Sequence, residues 1–467
     1  LPQRPAFTLI TGGVTPVMYL YLLLLPCLGS VLPQRPAFTL ITGGVTPVIS
    51  DAQRAADAGF GFEGGRVVRT SRRGTLYYFT AEFQGWPINA NMRLAIWRST
   101  NRTAGPWERR STIIASVGDN SSIAAWNKTC SRHNLLASPW APFPVFDADD
   151  NRWHIHAVSY ACDLSWVVRV GVGNIVGFRS TVAGEEAGIE GPYELYTGNG
   201  VVIGPSAAAT AVYSSSAPPL VHPLRWGDLT RDCAACHGGG ASPPAPPPSY
   251  CSYAPCRFDN GKTGGAISTS PFALPPNASA KFASFVGLNH DLAYSNAMAG
   301  PWVVGTPTAL GEQLAATLTT PSSPYTENPV VTRISVPGRS EPGFVAVFDT
   351  VSPSGGWVAD ASTGEWKSGE GRGEWYGFGV SFSYDGVYWS PGVDVSLPGG
   401  VRTPLGLVEY PTETGEYVYE LLFTRRFADC AAQTGGLPKG GRGDANNGRS
   451  MCANLYAASF GVTWDTW

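Results

Sequence analysis

Charge is scarce in this chain. Asp, Glu, Lys and Arg make up only 14% of its 467 residues, and the formal net charge is −3. A nucleic-acid partner needs a basic face, and there is too little Lys and Arg to build one. Sustained helical periodicity is also missing: no long stretch repeats apolar residues every 3.6 positions, so a mostly helical fold is excluded. Nor does any apolar run reach the roughly 20 residues that a bilayer-spanning helix needs. What is plentiful points elsewhere. The 56 Gly and 39 Pro punctuate the chain as many short strands and turns require. Hydrophobic residues at 43% and aromatics at 12% supply a sizeable core. The class expected is all-β.

Nine cysteines in loop-like surroundings suit an oxidising compartment. Four N-x-[ST] sequons, at Asn101, Asn120, Asn127 and Asn277, agree with it. Together they predict a secreted or cell-surface glycoprotein. Residues 1–17, LPQRPAFTLITGGVTPV, recur unchanged as residues 32–48. Between the copies, segment 18–30 reads as a signal peptide starting at Met18, with Gly29 and Ser30 near the cleavage point. It lacks the usual basic n-region. Residues 1–50 are therefore read as a duplicated leader with no stable membrane span, and the folded domain is expected over 51–467.

An internal repeat organises that domain. A strand, a turn and an aromatic closure recur at Leu94–Glu108, Val176–Thr197, Leu292–Val303, Gly377–Pro391 and Leu455–Asp465. Each reads as the third strand of a four-stranded blade, its turn, and the start of the outermost strand. Trp107, Tyr193, Trp302, Trp389 and Trp464 are the aromatics expected to pack between blades. Ahead of each closure lies a candidate innermost strand: Phe62–Arg69, Pro139–Phe146, Gly264–Pro275, Tyr325–Ser335 and Arg402–Pro411. Most of these precede an aromatic-rich second strand, such as Thr75–Gln84, Arg152–Ala161, Gly343–Ser352 and Tyr417–Arg425. Five closures predict a five-bladed β-propeller; the alternative is a β-sandwich with coincidental internal similarity.

The propeller carries one insertion, at 204–262, which is Pro/Cys-rich and unable to form a packed core. Cys233, Cys236, Cys251 and Cys256 are expected to staple it by disulfides. Cys233-x-x-Cys236-His237 also matches the c-type haem attachment pattern, and Cys233, Cys236, His237 and Cys251 form a nominal zinc set. A Pro-rich loop on a secretory-pathway chain offers haem no apolar pocket, so the disulfide loop is favoured and no cofactor or metal is expected. Cys430 and Cys452 flank a Gly-rich excursion, and Cys130 and Cys162 flank the first two strands of the second blade; both couples are disulfide candidates. Connectivity stays open.

The segments FEGGRVV (62–68), SPWAP (138–142), ENPVV (327–331), SFSYDGVYWS (381–390) and RTPLGLVEY (402–410) resemble the five-bladed propeller glycoside hydrolases of the family 43, 32 and 68 group. The resemblance covers roughly 58–467 outside the insertion, and implies hydrolysis of O-glycosyl bonds in an oligo- or polysaccharide. Such hydrolysis needs two carboxyl groups flanking the scissile bond. On the innermost strands two acids qualify, Glu63 and Glu327. The bland alternative for each is a structural ion pair with Arg66 or Arg402. Departures from the family pattern are clear. Phe143 follows Trp-Ala-Pro where many members carry an Asp that tunes the acid, and the third blade's GGAISTSPF offers no carboxylate. Asp259, upstream near the disulfide loop, is the remaining catalytic candidate. Arg66, Trp140, Asn328, Arg402 and Trp86 are candidate sugar contacts, through hydrogen bonds or an aromatic platform. The competing reading is a propeller that has lost catalysis and binds glycans at a surface.

Overall fold

A computed structural model of the chain describes residues 34–70, 74–84, 92–114, 135–136, 140–162, 168–195, 221–222, 269–286, 291–300, 302–304, 326–350, 357–359, 366–368, 377–413, 416–426 and 453–466. Its strands form five main sheets arranged as blades. Blade one runs Gly61–Arg69, Leu76–Phe83, Met92–Ser99 and Trp107–Ile114, each strand antiparallel to the last. Blade two is Trp140–Asp147, Arg152–Cys162, Val168–Ser180 and Tyr193–Leu195, with the short Leu135–Leu136 beside its second strand. Blade three is Thr269–Ala273, Phe282–Val286, Asp291–Ser295 and Trp302–Val304, with Val221–His222 added in parallel. Blade four is Thr326–Ile334, Gly343–Thr350, Gly377–Ser383 and Val393–Ser396.

The innermost strands form a closed ring. That of blade one packs against those of blades two and five, two against three, three against four, and four against five. Closure of the ring rules out a two-sheet sandwich and gives the five-bladed β-propeller. Strands buried on both sides lose the polar–apolar alternation of a half-exposed sheet; Leu76–Phe83 is buried at every position. Large rings then fill the seams between blades, with Trp107, Trp302 and Trp389 all buried. A two-stranded sheet of Trp357–Ala359 and Trp366–Ser368 and two short helices, Asp51–Asp57 and Glu185–Gly188, are the other regular elements among the described residues. No helix among them is long and apolar enough to cross a membrane.

Blade five corrects the expected boundaries. Its inner three strands are Thr403–Pro411, Tyr417–Arg426 and Ala453–Thr466. The fourth comes from the start of the chain: Gln34–Pro47 lies antiparallel along Ala453–Thr466. The downstream copy of the repeated sequence is thus the strand that closes the propeller. Trp464 belongs to the third strand of that blade, so the fifth closure is a continuous strand and not a turn. Phe38 sits edge-on to Tyr419 and Phe460, at centroid distances of 5.8 and 6.3 Å, which explains why this register is chosen.

Candidate functional site

Four of the five inner strands are interrupted at comparable places. The ladder skips between Glu63 and Arg66, between Trp140 and Phe143, between Glu327 and Val330, and between Pro404 and Gly406. A bulge re-aims the residues around it and is over-represented beside active sites. Blade one makes its bulge with Gly64 and Gly65. A Cβ on Gly65 would stand 1.9 Å from the Phe79 carbonyl oxygen, so no side chain fits there. Blades two and four use Ala141 and Asn328, at φ of 45° and 48°. Left-handed backbone at non-glycine residues costs of order 1–3 kcal/mol and persists where the surroundings impose it.

These bulges bring charge to the ring. Glu63 of blade one is 5% exposed and accepts a 3.0 Å hydrogen bond from Nη2 of Arg402, itself 8% exposed. Nη1 of the same guanidinium lies 3.8 Å from Oδ2 of Asp349, on the second strand of blade four and 1% exposed. The Asn328 side-chain amide donates to that Oδ2 at 3.0 Å. Arg402 Nη1 also donates to the Thr403 hydroxyl at 3.2 Å. Two buried carboxylates from the two blades that flank blade five therefore meet on one cation. Both contact the terminal nitrogens of a single fork, so they stand no more than about 9 Å apart. That limit admits both the roughly 5–5.5 Å of retaining and the roughly 6.5–9.5 Å of inverting carboxyl pairs.

Asp349 was not among the expected residues. It lies one strand out from the ring, in register opposite Glu327. Its signal was nevertheless present, as an acid closing the apolar run FVAVFD. The backbone of Glu327 is described as part of Thr326–Ile334, while its side chain lies outside the described residues. Arg66 is placed differently from expectation. Its guanidinium donates to the carbonyls of Pro271, at 2.8 Å, and of Val331, tying the inner strands of blades three and four to blade one. Burial brings it down to about 10. It serves the ring's main chain, and Glu63 is held by Arg402 alone of the two arginines considered. Trp140 opens the blade-two bulge at 7% exposure, packed in the main apolar cluster with Phe143. Phe143 thus occupies a packing position.

Trp86, Asp259, the sequons at Asn120 and Asn127, Cys130, Cys233, Cys236, Cys251, Cys256, Cys430 and Cys452 lie outside the described residues, as does the side chain of Cys162. Asn101 and Asn277 are on exposed turns.

One further cluster has metal-ligand chemistry. Ligand atoms of Asp147, Asp150 and His154 lie within 4.8 Å of one another in the first hairpin of blade two. Hydrogen bonds already serve them: Asp150 pairs with His154 Nε2 at 2.8 Å, and Asp147 accepts from the amides of Asp149 and Met298 at 3.1 and 3.3 Å. The set locks this hairpin against blade three.

No protein-family model and no curated protein matches the sequence. Among solved structures, the chain is similar to the GH43 subfamily 1 enzyme from Xanthomonas citri complexed with xylotriose, at 9% identity and a TM-score of 0.40 over 89% of each chain. It is also similar to a GH43 β-xylosidase/α-arabinofuranosidase from a compost microbial metagenome, at 8% identity and a TM-score of 0.40 over 93% of this chain and 98% of that one. A third likeness is to a fructofuranosidase from Schwanniomyces occidentalis, at 9% identity and a TM-score of 0.38, covering 78% of this chain and 52% of that one.

Proposed function

We propose that this chain is a secreted glycoside hydrolase-like propeller acting on O-glycosyl bonds of an oligo- or polysaccharide, with Glu63 and Asp349 as its carboxylate pair. The observation that carries the reading is their convergence on Arg402 beside the bulged inner strands of blades one and four. A buried ion cluster is a poor way to gain stability, because desolvating the charges offsets their attraction. Its presence where strained backbone clusters is better explained by use.

In the mechanism, Glu63 stays anionic on Arg402 and acts as the base that takes a proton from water, or as the nucleophile. Asp349 supplies the proton to the leaving oxygen; where Glu63 is the nucleophile, Asp349 takes a proton back from the water that hydrolyses the glycosyl-enzyme, and where Glu63 is the base, the two acids exchange protons with solvent after the product leaves. Asn328 orients Asp349 through Oδ2. Glu327, opposite Asp349 in the ladder, is the second candidate for the acid.

The test is hydrolysis of a panel of aryl glycosides and polysaccharides by wild type, Glu63→Gln, Asp349→Asn and Glu327→Gln. Loss of about a hundredfold or more in Glu63→Gln and in Asp349→Asn, the cost of removing a general acid or base, supports the assignment. A second reading rests on one feature: Arg402 neutralises part of the carboxylate charge that catalysis would use. If the whole panel is inert while glycans bind wild type and bind the variants less, the site is a glycan-recognition site without catalysis.

A further inference from the structure

The sequon at Asn101 lies in the turn that joins the third and fourth strands of blade one, and the folded molecule holds its three residues unequally. Asn101 is exposed. The two residues after it are committed to blade five: the Arg102 guanidinium lies 4.5 Å from the centre of the Tyr410 ring, and the Thr103 hydroxyl donates to Oε2 of Glu420. Thr103 is 4% exposed, and its carbonyl accepts from the buried Trp107 indole at 2.9 Å. The Ser99 hydroxyl donates to the Arg102 carbonyl at 2.7 Å and closes the turn on itself. The sequon at Asn277 is the contrast. It sits on the turn between the first two strands of blade three, and both Asn277 and Ser279 are exposed.

An asparagine is a glycan acceptor only with a hydroxyl two residues on, so a transferase must reach Thr103 as well as Asn101. We infer that Asn101 takes an N-linked glycan only before blade five closes against blade one, whereas Asn277 stays open to modification in the folded protein. The inference rests on the secretory reading above. The donor is an oligosaccharide carried on a lipid diphosphate. The Asn101 amide nitrogen bonds to C1 of the first sugar, the bond from C1 to the diphosphate oxygen breaks, and the amide gives a proton to solvent as the lipid diphosphate departs as an anion. Chain order supplies the time. Thr103 and Glu420 are 317 residues apart. At about 5–20 residues per second, that separation is on the order of tens of seconds of synthesis. Throughout it the Thr103 hydroxyl has no Glu420 to bond. A glycan added then leaves the ring able to close, because Asn101 is exposed in the closed molecule.

The experiment uses the full chain, produced without glycans, with a purified oligosaccharyltransferase and a lipid diphosphate-linked oligosaccharide. The folded chain is compared with the same chain unfolded in urea and alkylated at its cysteines, its unfolded state checked by circular dichroism. Occupancy is read by mass spectrometry after chymotrypsin, which cuts at aromatic residues and leaves Asn101 and Thr103 on one peptide. The unfolded chain should carry glycan at both Asn101 and Asn277. The folded chain should carry it at Asn277 and lose nearly all of it at Asn101. Equal occupancy of the two sites on the folded chain overturns the inference, as does an unfolded chain that refuses the glycan at Asn101. Folded Glu420→Ala should regain occupancy at Asn101 with Asn277 unchanged; an Asn101 as closed as in wild type would overturn the part given to Glu420. Transferase and donor are both supplied, so the result does not depend on secretion, and failure here leaves the secretory reading standing.

Discussion

Glu63 and Asp349, on blades one and four, bind neighbouring nitrogens of the same guanidinium, that of Arg402. A single side chain from blade five thereby joins three blades, and its loss leaves two buried anions facing each other. Arg402→Ala should destabilise the protein by about 3–5 kcal/mol, the usual cost of breaking a buried pair by removing one partner. Urea unfolding measures it. Arg402→Lys keeps the charge but not the fork and should fall between the two.

A second buried acid provides the contrast. Glu82 accepts from Arg93 at 2.5 Å, Arg109 at 3.0 Å and the Trp97 indole at 2.8 Å. These partners all come from the two outer strands of blade one, Met92–Ser99 and Trp107–Ile114, and not from the inner strands of other blades. Glu82→Ala should cost about 3 kcal/mol through the stranded arginines and indole, while the folded fraction keeps any glycan hydrolysis or binding of wild type. A loss of function matching that of Glu63→Gln would remove the distinction drawn between the two acids.

Burial pushes the His156 imidazole down to about 3. It lies edge-on to Trp302 and bonds the Met298 carbonyl through Nε2 at 3.0 Å. Unfolded, a histidine titrates near ~6.5. The unfolded chain therefore binds more protons between these values, and stability falls as the pH drops from about 6.5 towards 3. The slope reaches about 1.4 kcal/mol per pH unit for this one group. Unfolding free energies of wild type and His156→Gln should diverge in that direction; parallel curves between pH 7 and 4 would count against it.

Gly65→Ala tests the blade-one bulge. With φ at 106° and the Phe79 carbonyl where the new Cβ would go, the strand must shift. A lower thermal midpoint and a weakened site should appear together, since Glu63 opens the same bulge. Loss of stability with an unaltered site would show that Glu63 is positioned independently of it.

Much of this architecture was readable before the structure. Inner and second strands were bounded by Gly and Pro turns, and the blade-seam aromatics Trp107, Trp302 and Trp389 repeated at regular places. Blade five was misjudged at its edge, because Gln34–Pro47 pairs with residues at the far end of the chain and no local pattern reports such a pairing. In the site, Glu63 and Arg402 stood out as charges on inner strands. Asp349 did not, since strand order alone does not show a second-strand residue reaching the ring. Arg66 looked like a sugar ligand because its target, main-chain carbonyls of two other blades, becomes visible only once the ring is closed.

The two-ended make-up of blade five also sets an order of events during synthesis. Residues 34–47 are made well before residues 453–466, so the edge that joins them cannot form until Ala453–Thr466 has been synthesised. Blades one to four have all their described strands earlier, and domains are made N-terminal first at about 5–20 residues per second. Throughout that interval Gln34–Pro47 lacks the strand it pairs with. A ribosome stalled anywhere before Ala453 would hold an open ring, a state in which a folding catalyst or a protease has its longest opportunity to act.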